Sequence, residues 1–419
     1  MNPCDSHSCF DTPRCSSAAV VFCPTRRRWW GGALAVSIGL GLCLGLGLGP
    51  VSTGAGAAED VQRMYIGTFM DTGSKGIYQV NLDRESGALE LVGVAAEVDR
   101  PGFLAVHPNG RFLYSVTGGQ AFRDQGAGGV AAFAIDADSG ELTLLNEVSS
   151  QGRGPCHVSV DPTGSTVMVA NYGGGNVASY PIQEDGSLGE AVSVGQHEGP
   201  SEATDRQRAP HAHSIYPSPG GRFAVSADLG TDGIWIYRLN PAEGAMEPND
   251  PPVASLAPGA GPRHLAFHPD GQRLFALNEL NGTLTLFSWD EERGVLEEIR
   301  TVPTLPLGFD EPNTTAEVVV HPSGRFVYAT NRGHDSVAMF AYNPATDELA
   351  ALGHESTRGG HPRNFNIDPS GQWLIVANRD GGNLVVYGID PQSGRLEFSG
   401  HELEIPQPVC VTFWNGVAD

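Results

Sequence analysis

A handful of arginine, glutamate, histidine and tyrosine side chains in this chain have the types that anion binding and acid–base chemistry need. Arg263, Arg332, Arg363 and Arg379 supply cations, Glu279 a carboxylate, His211 and His213 imidazoles, and Tyr172 a phenol. Guanidinium groups gathered in a cleft bind a carboxylate or phosphate and stabilise negative charge that develops in a reaction. A carboxylate among them has its pKa lowered, which suits a base, or the partner that orients a basic histidine, and not an acid. His211 and His213, two apart on a strand, would face one way, a spacing that could hold a metal. No third ligand recurs nearby, so we expect neither metal nor cofactor. Tyr172-Gly-Gly-Gly175 lacks the helix that a phosphate loop opens, and there is no serine-hydrolase elbow or HExxH motif.

The elements that must position these residues form a repeat. A short apolar strand and turn reads Phe103-Leu-Ala-Val-His-Pro-Asn-Gly110 and returns with its proline at 108, 162, 217, 269, 322 and 369. A spacing of 47 to 55 residues suits one four-stranded blade per repeat. A second turn, acidic or amide followed by Gly or Asp and then an apolar residue, occurs seven times, from Asp83…Gly87-Ala-Leu89 to Asp390…Gly394-Arg-Leu396. The proline turn missing from the seventh repeat is explained by Pro408-Val-Cys-Val-Thr-Phe413, which resembles an inner strand, followed in space by Met64-Tyr-Ile-Gly67. The expected fold is all-β: a seven-bladed β-propeller over residues 58–419, its ring closed by N- and C-terminal strands sharing one blade.

A repeat protein provides its own control. Residues that recur in every blade build blades; polar residues that differ between blades can build a site. His107, His268 and His321 share a position just before the turn proline and read as turn-stabilising. Asn171, Asn278, Asn331 and Asn378, with Asp228 substituting, read as backbone partners. The next residue varies: Thr68, Gly118, Tyr172, Leu229, Glu279, Arg332, Arg379. So does the start of the inner strand, read as Gly102, Cys156, His211, Arg263, Ala316, Arg363, Val409. Inner strands line the central channel, so these columns converge on one mouth. The 196–209 insertion just before His211 is expected to be a rim loop.

Residues 1–57 read as an export signal with a long lead-in. Thr25-Arg26-Arg27-Arg28-Trp29-Trp30, the Gly/Leu/Ala run 31–49 and Ala55-Gly56-Ala57 give the order basic, apolar, small, and the arginines resemble a twin-arginine signal. An uncleaved anchor is the alternative. Loss of the leader's four Arg and two acids takes the net charge from −23 to −25, which argues against nucleic acid and anionic membranes as partners. Five of seven Cys fall in the leader; Cys156 and Cys410, on non-adjacent blades, are expected to be buried free thiols.

Arg206-Gln207…Pro210-His-Ala-His213, Gly261-Pro-Arg-His-Leu-Ala-Phe-His268, Asn278-Glu279, Thr315-Ala-Glu317, Asn331-Arg-Gly-His-Asp335 and Pro362-Arg363 together resemble the seven-bladed lactonase family. That family includes propeller-type 6-phosphogluconolactonases and carboxy-cis,cis-muconate cyclases, and the resemblance covers residues 63–414. It implies a site of a His, an Arg, a Glu sixteen residues later and a second Arg, matched by His211 or His213, Arg263, Glu279 and Arg332. It implies hydrolysis of a small anionic or sugar-derived lactone; Tyr172, Glu317, Arg363 and Arg379 are expected to bind substrate. A lactonising cycloisomerase and a non-catalytic binding propeller are the alternatives. An exported protein, periplasmic or extracellular, monomeric or weakly associating, is expected.

Overall fold

The computed structural model describes residues 61–71 and 73–418. The expected leader over 1–57 and the start of the folded domain at Ala58 lie outside the described residues. Among the described residues, seven four-stranded antiparallel sheets account for 28 strands. The second strands of the blades, such as Thr166–Asn171 and Trp373–Asn378, are almost wholly buried, because both faces pack on neighbouring blades. That is why they read as continuous apolar runs and not as alternating ones. The fourth strands, such as Leu89–Glu97, are largely exposed and carry charge.

Blade 1 pairs Pro408–Trp414 with Val61–Thr68, and continues through Gly76–Asp83 and Leu89–Glu97. Blades 2 to 7 follow in chain order over residues 104–149, 155–196, 212–255, 262–303, 314–356 and 362–404. The expected closure by strands from both ends is therefore present, in the register Arg63↔Trp414 to Gly67↔Cys410.

The hydrophobic core is divided into seven clusters, one at each boundary between adjacent blades. The cluster that closes the ring joins Met64, Ile66 and Val80 of blade 1 to Ile375, Ala377 and Val386 of blade 7. The turn histidines add polar links across the same boundaries. His107 Nε2 meets the carbonyl of Gly164 at 2.8 Å, His268 that of Gly324 at 3.0 Å, and His321 that of Gly371 at 2.9 Å. Each ring also accepts a backbone N–H from its own turn through Nδ1. They stabilise turns, as expected, and in addition tie each blade to the next.

Candidate active site

One local irregularity recurs where the inner strands begin, and it aims side chains at the channel mouth. In blades 3, 4, 5 and 7 the pairing register slips by one residue at Cys156, His213, Arg263 and Arg363. An extra residue of this kind turns its side chain away from the regular pleat. The opposing strand contributes the residue after the Asn column: Tyr172, Glu279 and Arg332. These seven side chains, with Arg206 and Gly154, line a cavity of about 330 Å³.

Glu279 is its centre. The carboxylate is buried, 3.3 Å from Arg263 Nη1, 2.8 Å from Arg332 Nη2 and 2.6 Å from Arg206 Nη1. Burial alone would raise its pKa, but Arg332, Arg263 and Arg206 together overcome that and hold it down at about 2. Arg263 is fixed from behind by its Nε–H donating to the Ala316 carbonyl at 2.8 Å. Arg332 donates to the Thr315 carbonyl, and burial, partly offset by Glu279, lowers its own pKa to about 10. Burial, with Arg263 and Arg332 close by, also lowers the Arg363 pKa well below the usual value; its guanidinium lies 5.0 Å over the Phe69 ring, with no carboxylate in salt-bridge reach among the described residues. The cavity thus holds four guanidinium groups and one carboxylate.

His213 and not His211 belongs to this cavity. His211 lies before the strand begins, whereas His213 is the extra residue at the slip between Ala212 and Ser214 and lines the cavity. His213 Nε2 is hydrogen-bonded to Arg263 Nη1 and lies 3.9 Å from Glu279 Oε2. Burial first, then Arg263, lowers its pKa well below the ordinary 6.5, so it is neutral at physiological pH. His211 precedes the strand, stacks on Tyr172 at 4.4 Å and bonds the Tyr172 carbonyl through Nδ1 at 2.9 Å. It braces a lining residue and does not line the cavity itself.

Two other expected residues also stand apart. Glu317 lies one layer down the channel, with His264 at 2.8 Å and Asn364 at 2.5 Å, and burial pushes its pKa up to about 8. It borders a separate cavity of about 220 Å³. Arg379 is turned outward into a bidentate pair with Asp380 at 2.7 and 3.1 Å.

Arg206 was legible as part of a rim loop but not as a cavity residue. Its short helix Asp205–Gln207 is anchored by buried Gln207, which donates to Asp232 at 2.6 Å and to the Leu229 carbonyl at 2.9 Å. That holds Arg206 between Glu279 and the Tyr172 hydroxyl, 2.9 Å away. Cys410 is buried as expected, whereas Cys156 is half-buried and faces the cavity. Burial, opposed by Arg263 and Arg363, pushes its thiol up to about 11, so it stays protonated. Among the described residues no three His, Cys, Asp or Glu side chains are grouped as metal ligands would be.

The family model described as "Lactonase, 7-bladed beta-propeller" matches residues 63–413. The chain belongs to that family. Its relatives include a 6-phosphogluconolactonase of Bacillus subtilis, 40% identical over 84% of this chain and 98% of the relative. A 6-phosphogluconolactonase of Formosa agariphila is 32% identical over 73% of this chain and 86% of the relative. Among solved structures, the periplasmic gluconolactonase of Pseudomonas aeruginosa is 31% identical, with a TM-score of 0.79 over 85% of this chain and 100% of that one. In this family member the arginine-lined cavity lies at the mouth of the ring, where inner-strand starts from blades 3, 4, 5 and 7 meet.

Proposed function

We propose that the chain hydrolyses a sugar-type lactone of the gluconate series in the cavity around Glu279. The observation that carries this is one carboxylate and one histidine held among four guanidinium groups in a cavity of about 330 Å³. The relatives named as 6-phosphogluconolactonases and a gluconolactonase support the choice of lactone.

Glu279 commits both carboxylate oxygens to Arg206, Arg263 and Arg332, so in this reading it stabilises positive charge beside it and does not take the proton itself. His213 is the base in this reading. Its Nε2 takes a proton from a water that attacks the lactone carbonyl carbon, Arg263 giving up its bond to that nitrogen as the water enters. The imidazolium that forms is stabilised by Glu279, 3.9 Å away. Arg332 and Arg363 stabilise the carbonyl oxygen as it becomes an oxyanion. Collapse breaks the bond to the ring oxygen, which receives the proton back from His213. The product is an open-chain hydroxy acid, which loses the remaining proton of the water to solvent, and its carboxylate stays among the arginines until it leaves. Tyr172 and Arg206 close the outer side.

The reading includes export to the periplasm or medium. The basic, apolar, small-residue order of residues 25–57 supports it, as does the likeness to a periplasmic enzyme.

The test is a pH-stat assay on gluconolactone and its 6-phosphate, with spontaneous hydrolysis subtracted. Glu279→Gln and His213→Asn should each lower kcat/KM by about 10²–10³-fold while melting normally. Wild-type turnover in folded Glu279→Gln and His213→Asn proteins would remove both residues from the mechanism.

A further inference from the structure

Beside the catalytic cavity lies a second hollow of about 470 Å³, and the two share Gly154 in their linings. They are also joined through Phe69, which lines the hollow and carries the cavity's Arg363 over its ring. The sequence shows why the ring is open on this side. Blade 2 has glycine in both columns that elsewhere hold site residues, Gly102 and Gly118. A Cβ on Gly118 would stand 2.2 Å from Asp99 Oδ2, and one on Gly102 would stand 3.0 Å from the Phe69 ring. Where other blades aim Glu279 or Arg263 inward, this sector carries no side chain in either column, and Asp99 and Phe69 pack against the two glycines.

The hollow is bordered by Arg100, Arg123 and Arg153. Arg100 pairs with Asp71 at 2.7 Å, both exposed, and exposed Arg123 with half-buried Asp99 at 3.0 Å; ion pairs open to solvent contribute little. Glu147 is turned to the Thr117 hydroxyl. Arg153 contacts only the Gly173 carbonyl, at 3.2 Å, and has no carboxylate partner among the described residues. In a chain of net charge −23, a three-arginine border with one guanidinium uncommitted is an anion site in form.

We propose that this hollow receives an anionic exocyclic tail of the substrate, a phosphate monoester or a second carboxylate, while the lactone ring sits at Glu279. The proposal rests on the lactonase reading for the place of the ring. It makes Arg153, with Arg100 and Arg123, a determinant of selectivity between charged and neutral sugar lactones. None of the three touches the reacting atoms.

Binding of the stable open-chain products separates this from the catalytic assignment. Gluconate, gluconate 6-phosphate and glucarate are titrated calorimetrically into the wild type, Arg153→Ala and the Arg100→Ala/Arg123→Ala/Arg153→Ala triple variant. The wild type should bind gluconate 6-phosphate or glucarate about tenfold or more tightly than gluconate. The tighter of the two identifies the tail as phosphate or carboxylate. Arg153→Ala should lose most of that preference and the triple variant all of it, with gluconate affinity changed less than about twofold. A wild type without preference, or a preference that survives in the triple variant, overturns the subsite. Glu279→Gln should keep the preference, so failure of the mechanism would leave this result standing and the reverse.

Discussion

At the residue scale the site is governed by what burial does to charge. His213 is neutral because taking an imidazolium out of water beside Arg263 is costly, so the base is available over a wide pH range. A general base works only when unprotonated, and lowering its pKa moves the acidic limb of the rate profile down. We therefore expect background-corrected kcat/KM to stay level as pH falls through the ordinary histidine value of about 6.5, and to decline only well below it. A half-maximal rate near pH 6.5 would show instead that an unperturbed imidazole does the work. The same scale separates what could and could not be read from the chain. Arg263, Glu279 and Arg332 were legible because each breaks a column that other blades fill differently, and side-chain type alone reveals that. The choice of His213 over His211 turns on the blade-4 turn: it is closed by Ser218-Pro219, as His268-Pro269 closes that of blade 5, and not at Pro217 as the repeat spacing suggests, so the inner-strand position that matches Arg263 is His213 and not His211. Glu317 follows the repeat count: Ala316 takes the place of Arg263, and Glu317 that of His264, below the mouth.

At the element scale the repeats do two jobs, and they can be uncoupled by mutation. The turn histidines were legible as scaffold because they recur, although the bond to the next blade was not, since a sequence repeat says nothing of what lies across the boundary. His321 bonds the Gly371 carbonyl and accepts the Ser323 N–H. His321→Ala should cost about 1–3 kcal/mol in urea unfolding, the range for leaving buried partners unmade, with kcat/KM within about twofold of wild type. Loss of activity without loss of stability would mean that the turns communicate with the mouth. The rim insertion behaves differently. It has no counterpart in other blades, so comparison between repeats could mark Gln196 to Ala209 as a loop without saying that Arg206 bends back onto Glu279.

At the scale of the whole molecule, the seven interfacial clusters make the ring one cooperative body, and blade 1 is its fastening. Trp414 is buried there: it packs against Tyr65 and donates from Nε1 to the Gly110 carbonyl of the neighbouring turn at 2.8 Å. Trp414→Ala should lower unfolding free energy by about 3–5 kcal/mol, and it should do so in a single transition seen alike by fluorescence and circular dichroism. Separate transitions would mean that blade 1 opens alone.

Blade 1 also sets an order of events. Six blades are built from neighbouring stretches of chain, and each can form its hairpins as soon as its own residues are available. The seventh joins Arg63 to Trp414, so its innermost strand is synthesised after every other and must find a partner made hundreds of residues earlier. Pairing at such sequence separation is slow. Until it happens the curved array has two unsatisfied flanks: the unpaired edge of Val61–Thr68, which can seize another molecule's strand, and the uncovered apolar face of blade 7. The interval before the latch closes is thus when this protein is most exposed to aggregation, and refolding yield should depend more on concentration than native stability does.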